Sequence, residues 1–157
     1  MPVLNSDIAS DLDKVADLLE LESANPFRVR AYRNAARTVG ELPRNVATML
    51  AEGEDLSELP GIGKDLAEKI AVLATTGHLP ILEEMERRAP AGIVKLLEVP
   101  GLGPKRVRAL SDRLGINSLA ALAAAAKAGK IRALVGFGAK SEARLLDEAE
   151  RRSAAAK

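Results

Sequence analysis

Leu-Pro-Gly-Ile-Gly at 59–63 and Val-Pro-Gly-Leu-Gly at 99–103 can bind an anion with backbone alone. Two glycines one residue apart let the chain turn sharply and leave consecutive N–H groups unpaired where a helix starts. Those groups, with the helix dipole behind them, hold phosphate oxygens and read no bases. Gly61, Gly63, Gly101 and Gly103 are therefore candidate phosphate-binding positions, with Ile62 and Leu102 expected to plug inward between the flanking helices. Lys64 in the first copy, and Lys105, Arg106 and Arg108 in the second, stand where an approaching backbone would pass. A β-branched residue at Gly101 or Gly103 is expected to obstruct that approach.

A second chemistry depends on one amine. Six residues beyond the second glycine the chain has Lys69 in the first copy and Ala109 in the second, and Arg144 follows a third Gly-apolar-Gly at 136–138. Only the lysine can form a Schiff base, because a guanidinium stays protonated and alanine has no amine. On the helix after Gly63, Leu66, Ala67, Ile70, Leu73 and Ala74 set the core side, and Lys69 lies about 60° from Leu66, at its margin. A marginal place partly desolvates the amine, which favours its neutral, nucleophilic form. The bland alternative is a helix lysine that snorkels to solvent.

The elements that must position these residues are helical. Apolar residues Ile8, Leu12, Val15, Leu18 and Leu19 recur at three- and four-residue steps after Ser6, the expected N-cap. Asn25, Pro26 and Gly40 punctuate a second helix over "NPFRVRAYRNAARTVG". Short helices are expected after Pro43 and Asp55, then helices over 63–76, closed by Gly77, and about 80–89. Beyond "RAPAG" at 88–92, the best boundary, come a short helix, the second corner, a helix stopped by Gly115, one capped by Ser118, and a last from about Ala139. The fold class is all-α, with about ten short to medium helices.

Composition agrees and excludes several classes. Of 157 residues 47% are hydrophobic and 29% charged, which reads as globular. With no cysteine and one histidine there is no disulfide framework and no structural zinc set. The Asp11-Leu12-Asp13 stretch cannot hold one metal on a helix, since i and i+2 diverge by about 200°. No twenty-residue apolar span is present, so the expected location is cytoplasmic. Net charge is only +1, yet residues 5–24 carry a net of −5 and residues 25–50 a net of +4. From Lys105 to Lys140 there are eight basic residues against Asp112 alone, a net of +7, and Lys140 joins the candidate phosphate contacts. Such segregation puts positive surfaces on a neutral body.

Two copies of this corner between short helices form the helix-hairpin-helix motif. Preceded by "NPFRVRAYRNAA", and followed by "VGFGAKSEARLL", they make the whole chain resemble the amino-terminal region of family X DNA polymerases, especially bacterial and archaeal ones. The resemblance implies tandem helix-hairpin-helix units: a lyase-like domain over 1–90 and a fingers-like DNA-binding domain over 91–157. It implies sequence-independent DNA binding in gap or base-excision repair, on gapped, nicked or 5′-phosphate-bearing duplex, with other repair proteins as further partners and no membrane. The family's palm would follow this point, so nucleotidyl transfer is not expected of these residues.

By the same resemblance Lys69 matches the Schiff-base lysine of a 5′-deoxyribose-phosphate lyase. Glu68 matches an acid beside it, Tyr32 a hydroxyl able to reach the site, Phe27 an aromatic platform and Arg28 a phosphate contact. Asp65 stands where the family has a phosphate-holding lysine, and is expected to repel that phosphate. No cofactor is required. A potassium or sodium ion is expected at the backbone carbonyls of Ser57, Leu59 and Ile62, and of Leu97, Val99 and Leu102. The alternatives to plain DNA binding are the lyase and a helical protein-interaction module.

Overall fold

A computed structural model describes residues 3–155. Among these residues there are nine α-helices, one short 3₁₀ turn and no strand. The chain divides into two compact units, Met1–Glu86 and Arg87–Lys157.

In the first unit α1 (Asn5–Leu21) and α2 (Pro26–Glu41) pack as an antiparallel pair. Gly40 sits against Ala9, while the Arg33 guanidinium reaches Asp13 and Asp17 two turns further along. The pair buries Ile8, Leu12, Val15 and Leu19 from one helix and Val29, Tyr32, Ala35, Ala36 and Val39 from the other. Each isoleucine, leucine or valine among them contributes about 1.5–3 kcal/mol by leaving water. Asn25 caps α2, its Oδ1 accepting from Phe27 N at 2.8 Å.

Two punctuation marks act differently from the sequence expectation. Ser6 lies inside α1; the turn is closed instead by Asp7, whose carboxylate accepts from Leu4 N at 3.2 Å. Gly40 does not stop α2, which runs on to Glu41. Leu42, extended at φ −67° and ψ 132°, ends it because Pro43 bars the helical region to the residue before it.

Next come α3 (Val46–Ala51) and a 3₁₀ turn (Leu56–Glu58) with Asp55 as its cap. α4 (Lys64–Thr76) follows, closed by Gly77 at φ 78°, and then α5 (Pro80–Arg88). The second unit comprises α6 (Ala91–Leu97), α7 (Pro104–Leu114), α8 (Leu119–Lys127) and α9 (Ala139–Ala155). Its core is Leu96, Val107, Leu110, Ile116, Leu122, Ile131, Leu145 and Ala149. Ser118 caps α8 by accepting from Ala121 N at 3.0 Å. No helix among the described residues is long and apolar enough to cross a membrane.

Candidate nucleic-acid interface

Three corners of the chain share one hydrogen-bond pattern. In the first, Ile62 N donates to Leu59 O at 3.1 Å and Ala67 N to Gly63 O at 2.9 Å. In the second, Leu102 N donates to Val99 O and Val107 N to Gly103 O, both at 3.0 Å. The third repeats this with Phe137 N to Leu134 O at 3.1 Å and Glu142 N to Gly138 O at 2.9 Å. Gly61, Gly101 and Gly136 have φ of 76°, 89° and 90°, the left-handed region that favours glycine. Ile62, Leu102 and Phe137 are buried, as the plug between helices requires.

The second glycine of each corner has no such reason to be glycine. Gly63 and Gly103 are extended, at φ −86° and −87°, and α4 and α7 start directly after them. A Cβ at Gly63, Gly103 or Gly138 would meet nothing within 4 Å. Serine or aspartate would cap these helices at least as well. The first turns also carry Lys64, Lys105 and Lys140, all exposed, where the helix dipole disfavours a cation. The fold gains from neither choice; an incoming anion gains from both.

Around the first corner, Thr38 Oγ1 donates to Pro60 O at 2.9 Å and Asn34 lies against Gly61. These residues continue along α2 as a stripe through Arg30 to Phe27, which is 74% exposed with the Arg30 guanidinium 4.7 Å from its ring centre. Arg28 is exposed on the same first turn. Tyr32 is on the opposite, core face, 3% exposed. On α4, Glu68 is exposed and Lys69 is half-buried at 27%, with Nζ donating to Asp65 Oδ1 at 2.8 Å. Asp65 therefore contacts the amine itself.

The second corner is held by two guanidiniums. Arg144 of α9 donates from Nη1 to Pro100 O at 2.5 Å and lies so close over Gly101 that a Cβ there would collide with it. Arg106 donates from Nη1 to Gly101 O at 3.2 Å and from Nη2 to Gly136 O at 3.3 Å, its guanidinium 5.3 Å from the Phe137 ring centre. Arg108 stands 4.0 Å from Asp112. The third corner is tied down by buried Glu142, which accepts from Arg132 N at 2.9 Å and from its Nε at 2.8 Å. The backbone N–H bond from Arg132, chiefly, holds the Glu142 carboxyl below the usual range.

Sequence reasoning found the two Pro-Gly corners and the basic residues beside them. It gave Gly138 no role and Arg144 none beyond the comparison with Lys69, although Gly-Phe-Gly was visible as a third copy. Among the carbonyls expected to hold a cation, Leu59 O and Val99 O each accept one turn bond, which leaves a lone pair free. No group of acidic or histidine side chains among the described residues could hold a metal ion.

Residues 3–79 match the family described as Helix-hairpin-helix domain, and residues 93–151 that described as SAM-like Helix-hairpin-helix tandem. The DNA polymerase/3'-5' exonuclease PolX of Bacillus subtilis (strain 168) is 36% identical over 140 residues, 89% of this chain. The chain spans 24% of that relative's length. With matched helix-hairpin-helix families in both units, the chain belongs to the helix-hairpin-helix proteins and is similar over most of its length to the amino-terminal part of a family X DNA polymerase.

Proposed function

We propose that the chain binds DNA through its sugar–phosphate backbone, without reading sequence, in gap or base-excision repair at the nucleoid. The observation that carries this reading is the open second glycine of each corner with a lysine in the helical turn behind it. In the first unit Gly61, Gly63, Lys64, Arg28 and Phe27 meet the strand; in the second Gly101, Gly103, Lys105, Arg106, Arg108 and Lys140 do so. The relative's printed activities, polymerase and exonuclease, both act on DNA, which supports the same partner. Gapped, nicked and 5′-phosphate-bearing duplexes are the preferred forms. Potassium or sodium at the carbonyls of Ser57, Leu59 and Ile62, and of Leu97, Val99 and Leu102, would add a positive charge facing the phosphate; oxygen-only ligation suits such a hard cation.

A lyase step through Lys69 is the second reading, favoured by the half-burial of its amine and opposed by the Asp65 ion pair. Amine attack on the sugar C1′ would need that pair to open first.

Titration of unrelated duplexes against salt tests the binding reading. Each phosphate neutralised contributes about −0.9 to the slope of log affinity against log salt, so a few contacts give roughly −3 to −6. A flat slope, or strong sequence preference, would sink it. Replacing potassium by a bulky organic cation at equal ionic strength should weaken binding. Gly103→Thr is the clean steric probe, because threonine caps a helix about as well as glycine, whereas Gly101 is held by its positive φ. It should weaken binding with Tm little changed; equal loss of both would favour a protein-interaction module.

A further inference from the structure

Pro60 and Gly61 are the middle residues of a turn closed by Ile62 N, which donates to Leu59 O at 3.1 Å. With Gly61 at φ 76° this is a type II turn, which differs from type I in that the central peptide is turned over. Proline followed by glycine is allowed in both forms, so the turn residues alone fix the direction of that peptide only weakly. The direction matters, because in a planar trans peptide the C=O and the N–H point to opposite sides. With the Pro60 carbonyl facing α2, the Gly61 N–H faces away from it.

That carbonyl is held from outside the turn. Thr38, half-buried on α2, donates from Oγ1 to Pro60 O at 2.9 Å. A threonine inside a helix ordinarily bonds the preceding turn of its own helix. Thr75 and Thr76 do so on α4, donating to Ala71 O at 2.8 Å and Val72 O at 2.7 Å. Thr38 instead reaches a carbonyl 22 residues away. The Gly61 N–H, on the other side of the peptide, makes no backbone hydrogen bond among the described residues. In the second corner the matching carbonyl, Pro100 O, is held by Arg144 Nη1 from α9. Thr38 precedes its corner and Arg144 follows its own, so the restraint does not come with the repeated sequence; two unlike side chains supply it.

We propose that Thr38 is a positioning residue for DNA binding: its hydroxyl fixes the Pro60–Gly61 peptide so that the Gly61 N–H stays turned outward as a donor to phosphate. The inference rests on the DNA-binding reading and adds to it a side chain that acts without touching the strand. A preset donor needs no ordering when the strand arrives, whereas a peptide free to turn over must be ordered at that moment. The donor is neutral, so it adds affinity without releasing a counterion.

The test compares Thr38→Val, which keeps the shape and removes the hydroxyl, with Thr38→Ser, which keeps the hydroxyl, in the full chain well below its Tm. Duplex affinity should fall several-fold in Thr38→Val with the salt slope unchanged, and Thr38→Ser should restore it. Loss of a cation, as in Lys64→Ala, should instead make the slope shallower by about 0.9. In amide NMR, duplex should shift the Gly61 N–H strongly in the wild type and Thr38→Ser and weakly in Thr38→Val, while the Gly101 N–H shifts alike in each. If valine unfolds the first unit, Thr38→Ala makes the same deletion with a stronger helix former. Undiminished affinity in the variant without the hydroxyl, or an intact Gly61 shift there, overturns this proposal alone when wild-type binding is normal, whatever happens to Tm. A wild-type chain that binds no duplex overturns the DNA reading and this proposal with it.

Discussion

The amine of Lys69 is already engaged, donating to Asp65 one helical turn earlier. Asp65 is 80% exposed, and an i,i+4 pair of that exposure is worth about 0.3–0.5 kcal/mol. If Lys69 attacks a 5′-deoxyribose-phosphate sugar, Asp65→Asn should raise the rate of borohydride-trapped adduct about twofold from the freed amine alone. Removing the repulsion of the 5′-phosphate should add to that, and Asp65→Lys should exceed both. Lys69→Ala should abolish the adduct and spare duplex binding. No adduct from any Lys69-bearing form would make Lys69 a surface residue. The lysine itself was legible, because aligning the copies on their glycines isolates it against Ala109 and Arg144. The i,i+4 spacing to Asp65 was equally present in the sequence. Spacing shows which residues share a face; only the folded rotamers show that this carboxylate turns toward the amine rather than outward.

At the scale of elements, two glycines inside helices make opposite demands. A Cβ at Gly40 would sit 3.7 Å from Ala9 Cβ, an ordinary contact, whereas at Gly92 it would land on the backbone carbonyl of Asn117. Gly40→Ala should therefore stabilise the first unit by about 0.5–1 kcal/mol, by removing unfolded-state freedom. Gly92→Ala should destabilise the second by about 1–3 kcal/mol through overpacking. Denaturant unfolding of the two variants checks both signs; a harmless Gly92→Ala would mean α6 does not approach Asn117 so closely. The sequence presents Gly40 as a helix stop and Gly92 as part of the boundary stretch 88–92, and both lie within helices. Helix periodicity locates such segments well. It carries no information on what backbone passes across them, so a glycine kept for close approach looks like one kept for a turn.

Across the whole molecule the units should respond differently to acid. In the first, burial raises the Asp11 and Asp17 carboxyls, while the Ser57 hydroxyl bond lowers Asp55, so the contributions oppose one another. In the second, Glu142 is lowered, chiefly by the Arg132 backbone bond. A lowered carboxyl stabilises above its unfolded pKa, about 4.3, and that stability is lost as pH falls through the folded value. Hydrogen exchange between pH 6 and 3 should show the second unit opening first, and Glu142→Gln should flatten that dependence. Simultaneous opening would show that Glu142 does not govern it. One consequence of the tyrosine packed between α1 and α2 is optical. The chain has one tyrosine and no tryptophan, so its near-ultraviolet emission comes from a single phenol inside the first unit. That emission should stay constant while the second unit melts and change only when the α1–α2 pair opens, giving the protein a built-in reporter for half of itself.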